Sequence, residues 1–394
     1  MQSRIGAGGD RLSSQSWRQI LSRVLEQAFP DHLGGWQMKI TAMMYKLALI
    51  TVATAMGLIA ASSPAAAGSV EDLYKGRNLT ILLGHPPGGS YDLYAQLAAT
   101  HMGKYIPGNP NVIVQHQPGG GGRKAAANYL KNVAADGLTI ALLPDTLAHI
   151  QLLTPERGKW DASKIRYIGR FAPANAAFAV RKGAPATTID GMRKTQLIAA
   201  CTGKSSRSAQ MPAMLKNVAG MKFKLICGYK GSKKATLAVL RGEADIVSKN
   251  WASFKSGDAS ELKAGNIKIV LQAGLQRDPD LPDVPLLHEI VDDPQAKSVL
   301  RFVSSGAPIG RSLMAKPGTP DDVVMALRAA FQKMIKDEAF LADAAKRKAI
   351  INPATGEEVE AVNQEIFQVD AGLIKAAQAA ISTKGAGSIK KAKK

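Results

Sequence analysis

Two glycine-rich turns in this chain could bind a small anion. The first, Pro86-Pro-Gly-Gly-Ser-Tyr-Asp92, follows an apolar strand pattern at 79–84 and opens a helical pattern at 91–103. The second, Gln117-Pro-Gly-Gly-Gly-Gly122, follows a strand pattern at 111–116 and opens a helix at 122–134. Glycine lets a ligand approach the backbone closely and tolerates positive φ. A helix start offers unpaired N–H groups and the positive end of the macrodipole. Two such starts at the strand ends of one α/β sheet make a receptor for a carboxylate or a phosphate. The candidate binding residues are therefore Gly88, Gly89, Ser90, Tyr91, Pro118, Gly119, Gly120 and Gly121.

Neighbouring polar residues have plainer roles available. Asp92 reads first as a helix cap or as an acceptor for the N–H groups of its own loop, and only second as a ligand contact. Asp145 and Thr146 end a third strand at 138–143 and read as a helix cap, with the Thr146 hydroxyl in reach of a ligand. A third polar loop, 202–209, carries Lys204, Ser205, Ser206 and Arg207. These either face the site and pair with a distal carboxylate or form a solvated basic loop.

Rival chemistries lack the spacing they need. His85, His116 and Asp92 could approach one another, but nothing in their spacing matches a metal motif, so the two histidines are expected to line a wall. The run Gly119–Gly122 fails the dinucleotide fingerprint because Lys124 stands where the last glycine belongs. No phosphate-binding Gly-Lys-Ser/Thr follows at the right spacing, and no nucleophile elbow is present. The expectation is a binding protein with no catalytic residue, no metal and no cofactor.

The elements that must position these turns alternate strand and helix. A β-α-β-α-β run from residue 72 implies a mainly parallel sheet with right-handed crossovers. Two extended pieces, 167–172 and 176–181, precede a restart: strand 196–201, helix 208–219, strand 222–227, helix 232–241, strands 244–248 and 267–272. A strand near 310–317 returns to the first unit, and helices follow at 321–335, 337–347 and 356–378. The reading is α/β with one unit inserted in another. Residues 68–174 and 304–380 form the first domain and 175–303 the second, with hinges near 172–178 and 303–310. There is no internal repeat and no heptad run.

The N-terminal region reads as a targeting segment. Residues 38–67 carry a positive start, the apolar run Leu47–Ala60 and the small-residue site Ala65-Ala-Ala67, which is the pattern of a cleaved signal peptide. Residues 1–37 before it read as an extension from a start codon placed too early; a membrane anchor is the alternative. The mature protein is expected in the periplasm, and no cysteine near the cleavage point offers a lipid anchor. Cys201 and Cys227 end two apolar stretches. On neighbouring strands in an oxidising compartment they either bridge or stay as two buried thiols. The chain of 394 residues carries a formal charge of +20, which suits acidic partners. Its aromatics do not interleave with the basic residues, so nucleic acid is not expected. The lysine-rich end, 381–394, reads as a disordered tail.

Six motifs in chain order carry a resemblance. They are Pro86–Asp92, Gln117–Gly122, Asp136-Gly-Leu138, Tyr229-Lys-Gly231, Asp283-Val-Pro285 with Glu289, and Lys316-Pro-Gly-Thr-Pro320. In this order the chain resembles the extracytoplasmic solute receptors of tripartite tricarboxylate transporters (the TctC or Bug-type family) over about residues 72–365. Leu138 stands where the family has an aromatic, Gly120 where it has alanine, and the 202–209 loop lacks a second glycine. The resemblance implies a two-domain periplasmic-binding-protein type II (Venus-flytrap) fold with the ligand cleft between domains. It also implies a monomeric receptor in which the first two loops hold a small organic carboxylate through backbone N–H groups and water. Its partners would be the transporter's membrane subunits, or alternatively a periplasmic sensor kinase.

Overall fold

The chain leaves helix α1 (Val70–Tyr74) for strand β1 (Asn78–Leu83), α2 (Ser90–His101), β2 (Asn111–His116), α3 (Arg123–Asn132), β3 (Thr139–Leu142), α4 (Leu147–Leu153) and β4 (Arg166–Arg170). It then builds β5 (Ala176–Arg181), α5 (Ile189–Lys194), β6 (Leu197–Cys201), α6 (Arg207–Val218), β7 (Phe223–Cys227), α7 (Ser232–Leu240) and β8 (Ile246–Asn250). Helices α8 (Trp251–Gly257) and α9 (Ala259–Lys263), strand β9 (Ile267–Ala273) and α10 (Pro294–Ser304) complete this part. The return comprises β10 (Ser312–Ala315), α11 (Asp321–Met334), α12 (Glu338–Lys346), β11 (Ala354–Thr355), α13 (Gly356–Phe367), α14 (Ala371–Ala380) and β12 (Gly387–Ser388). This computed structural model describes residues 69–204 and 206–388. The expected extension and signal peptide, Ser205 and the last six residues of the basic tail lie outside them.

Two six-stranded sheets result, in the orders β11-β4-β10-β3-β1-β2 and β12-β7-β6-β8-β5-β9. Each holds a parallel trio, β2-β1-β3 in one and β7-β6-β8 in the other. Beside each trio an antiparallel strand arrives from the other half of the chain: β10 in the first sheet, β5 in the second. The two halves thus share a topology that leaves no repeat in the sequence, because strand order is fixed by crossovers rather than by side-chain identity. Interior strands are buried on both faces, as helix-covered sheets require, β5 at every position but its last and β10 throughout, whereas β2 and β7 alternate.

The chain crosses between sheets at 171–175 and 305–311, and these two segments hold each other. Ala174 N–H donates to Ala307 O (2.8 Å) and Arg311 N–H to Ala172 O (2.9 Å). Three features depart from the sequence reading. The single helix expected over 356–378 is broken, because Asp370 accepts from Leu373 N–H (2.9 Å) and starts a new helix. Helix α10 was hidden in a proline- and aspartate-rich stretch, where Pro294 is its first residue and Asp293 its cap. The C-terminal end is not disordered as far as residue 388. Helix α14 packs against α4 of the first half and α6 and α10 of the second. Asn217 Nδ2 then donates to Ala380 O (2.8 Å), and β12 adds to the edge of β7. Residues 371–380 therefore pack on helices of both halves and 387–388 extend the second sheet, so the tail expected from 381 lies against the protein as far as residue 388.

Cys201 and Cys227 are register partners in β6 and β7, with Cα atoms 4.3 Å apart, and they form a disulfide. The two positions are 26 residues apart in sequence. By loop-closure entropy, closing a loop of that length stabilises by about 3.5 kcal/mol. Replacing both cysteines by serine is expected to lower the urea unfolding free energy by about that amount, and a difference near zero would show that the bridge adds nothing.

Candidate functional site

The carboxyl ends of all six parallel strands open onto one cleft of about 610 Å³. From the first half it is lined by Gly84–Tyr91 after β1, Pro118–Gly121 after β2 and Pro144–Thr146 after β3. From the second it is lined by residues after β6 (Thr202, Gly203, Ser206, Arg207, Ser208), after β7 (Gly228–Lys233) and around the end of β8 (Ser248–Asn250, Ser253). Arg311, just before β10, closes one wall.

The second glycine turn is shaped by close approach. Gly119 to Gly122 all have positive φ. A Cβ on Gly122 would lie 2.5 Å from Pro144 Cγ, and one on Gly84 would lie 2.6 Å from the Gly122 Cα. The ends of β1, β2 and β3 can meet only with bare backbone there. In the first turn, a Cβ on Gly89 would find only Ser232 Oγ, 4.0 Å away across the cleft. That position is open space reserved for something other than side chain. Asp92 lies behind this turn and not in the lining. Its Oδ2 accepts from Gly88 N–H (2.9 Å), and its Oδ1 meets His116 Nε2 (2.9 Å). Of the roles open to Asp92, the structure gives it that of holding the loop, which removes it from the candidate ligand contacts.

Ser90 is more occupied than a free helix start would be. Its N–H donates to Ser253 Oγ of α8 (3.2 Å), and its own Oγ accepts from Arg311 Nε (3.0 Å). His85 stacks on the Tyr91 ring at 3.9 Å, and the Arg311 guanidinium also packs on that ring at 3.9 Å. His85 and His116 are thus separated into different contacts and do not form a triplet with Asp92. Thr146 lines the cleft at the start of α4, without a side-chain capping bond.

The 202–209 loop divides. Lys204 is exposed, outside the lining, and its carbonyl accepts from Thr383 Oγ1 (3.1 Å). This corrects its placement at the cleft. Ser206 lines the cleft, but its hydroxyl turns inward onto Gly203 O (2.7 Å) and Ser208 Oγ (2.8 Å). That bond turns the loop so that Arg207 is delivered to the cleft while Lys204 faces out. Arg207 forms an ion pair with buried Asp145, joining the two halves across the cleft. Lys249 pairs likewise with Asp258. Burial pulls the Lys249 ammonium below its usual value, with Asp258 opposing the shift. Asp145 is therefore tied up by Arg207 rather than simply capping α4. Arg311, Lys249 and Ser253 escaped the sequence reading. Nothing in the local pattern Gly310-Arg-Ser-Leu-Met-Ala315 distinguished Arg311 from an ordinary surface charge.

Burial keeps two imidazoles neutral. His85 is pushed down to about 3, with Arg311 adding to the effect of burial, and His149 down to about 4 by burial. His149 Nε2 donates to Phe302 O (2.8 Å). Burial pushes the Tyr91 hydroxyl up to about 12. A histidine whose folded pKa lies below the unfolded 6.5 takes up its proton on unfolding, so its stabilising contribution is complete above pH 6.5 and is lost as pH falls towards 3–4. Unfolding free energy is expected to fall from pH 7 to pH 4 with a slope of up to about 1.4 kcal/mol per pH unit for each imidazole. Urea midpoints across that range check it, and His149→Asn should flatten the profile.

The family model of the tripartite tricarboxylate transporter family receptor matches residues 95–378. A UPF0065 protein of Bordetella pertussis is 27% identical over 299 residues, covering 74% of this chain and 84% of that protein. Among solved structures, the periplasmic binding protein BugD aligns at a TM-score of 0.61 and 21% identity over 78% of this chain and 99% of its own. MatC of Rhodopseudomonas palustris with bound malate aligns at 0.57 and 19%, over 78% of this chain and all of its own. The structural likenesses show the two-lobed α/β binding-protein fold, and the match over residues 95–378 shows that the chain belongs to the tripartite tricarboxylate transporter receptor family, whose members are substrate-binding receptors and not enzymes.

Proposed function

We propose that this chain captures a small organic carboxylate in its inter-lobe cleft, outside the cytoplasm, and presents it to the membrane subunits of a tripartite transporter. One observation carries the reading: six strand ends, most followed by helix starts, converge on one cleft whose charged lining is dominated by cations. The malate bound to the structurally similar MatC agrees with that chemistry. The glycines at 88, 89 and 119–121 expose backbone donors to an anion. Pro118 and Tyr91 shape the walls, and Thr146 adds a hydroxyl. Crossing segments 171–175 and 305–311 act as the hinge, and ligand contacts made only in the shut state bias the lobes towards closure. The signal-peptide pattern in 38–67 supports export to the periplasm.

A thermal-shift panel of acetate, succinate, malate, adipate and citrate tests this on protein stripped of endogenous ligand by refolding. An acid present at a hundred times its dissociation constant adds about 2.7 kcal/mol of stability, which appears as a raised melting temperature. A response to none of the acids would remove the carboxylate reading. Gly89→Val places two methyl groups in the open space facing Ser232 and should abolish that shift while the ligand-free melting temperature stays within a few degrees; unchanged affinity would show that the first turn does not touch ligand.

A further inference from the structure

Among the described residues, Arg311 is the buried charged group of the cleft without a carboxylate partner. It is 5% exposed, and no carboxylate among the described residues comes within 4.0 Å of it. Its Nη1 is buried with no hydrogen-bond partner. The other inward-facing buried cations have a counter-charge, Arg207 in Asp145 and Lys249 in Asp258, although Arg207 Nε and Nη2 are, like Arg311 Nη1, buried without a hydrogen-bond partner. Lys230 and Lys233 line the opposite lobe but are exposed. An isolated buried charge is costly, and the cost is relieved when an anion arrives.

We infer that Arg311 supplies the counter-charge for the ligand, a carboxylate seated at the start of α2 accepting from its guanidinium rather than from backbone amides alone. This rests on the carboxylate-receptor reading and deepens it. Two contacts hold the guanidinium ready. Nε donates to Ser90 Oγ (3.0 Å), and the plane packs on the Tyr91 ring (3.9 Å). A group held in place before the ligand arrives loses little freedom on binding, and the planar fork matches a carboxylate as an ammonium does not. The two rings beside the guanidinium, His85 and Tyr91, remain neutral near pH 7, and the Asp145 carboxylate that also acts on them is paired with Arg207.

Calorimetric titration with succinate, malate, adipate and citrate decides it, using wild type, Arg311→Met and Arg311→Lys. For an acid that binds wild type, Arg311→Met should weaken binding about a hundredfold or more, and Arg311→Lys should recover part of the loss. Ligand-free Arg311→Met should melt no lower than wild type, since it removes an unpaired buried charge. Equal affinity in wild type and Arg311→Met overturns the inference and leaves the receptor reading standing. Weaker binding with a lowered ligand-free melting temperature also overturns it, in favour of an arginine that merely pins Ser90 and Tyr91. No binding of any of the acids to wild type overturns both readings. Should Arg311→Met fail to fold, Arg311→Lys carries the test: loss of affinity at an intact melting temperature supports the inference, and unchanged affinity overturns it.

Discussion

A helix that follows a strand begins at that strand's carboxyl end, and because parallel strands run the same way their following helices all start on one edge of the sheet. The first turn of each therefore points unpaired N–H groups out of that edge. In this protein two sheets that share a five-strand order, β4-β10-β3-β1-β2 in one and β9-β5-β8-β6-β7 in the other, turn those edges towards each other. The glycines of the cleft follow from that constraint. Where the ends of β1, β2 and β3 converge, Gly84 and Gly122 leave no room for a Cβ, and the backbone itself becomes the wall. Where the first turn faces the second lobe, Gly89 leaves the space unfilled.

Charge is arranged around the same edges. The Arg207–Asp145 pair takes one partner from each lobe and so works across the cleft as well as within it. Removing one partner of such a pair would leave the other buried and alone, a state costing more than the pair itself gains. The Ser90 N–H to Ser253 Oγ bond is a second tie between lobes. Neutral His85 and neutral Tyr91 fill the wall without adding charge. The charges without a carboxylate partner in the lining, buried Arg311 and exposed Lys230 and Lys233, are all cations.

Movement is constrained by three further connections. The crossing segments 171–175 and 305–311 are hydrogen bonded to each other, so neither can shift without the other. Helix α14 rests on helices of both lobes and ends at the edge strand β12. The disulfide joins the ends of β6 and β7, directly before two of the lining loops. The second lobe's part of the cleft is therefore braced within its own sheet.

Local patterning sufficed for much of this. Apolar runs followed by helical periodicity placed nearly every strand and most helices, and the glycine turns at 86–92 and 117–122 marked two of the three first-lobe loops, because close approach and positive φ leave glycine as their trace. Chain order was enough to suggest an inserted unit and a family resemblance. The rest depended on contacts between residues far apart in sequence. Asp92 reads alike as ligand or loop support until His116 and Gly88 are seen on its carboxylate. Lys204 and Arg207 differ by three positions, yet only the turn made by Ser206 decides which faces the cleft. Arg311 leaves no mark in its own segment, because its isolation is a property of where carboxylates from other strands end. The sequence by itself determined which elements form and where the backbone is bare; the tertiary structure alone decided which charges are paired, because pairing is set by distances across the cleft that no local pattern encodes.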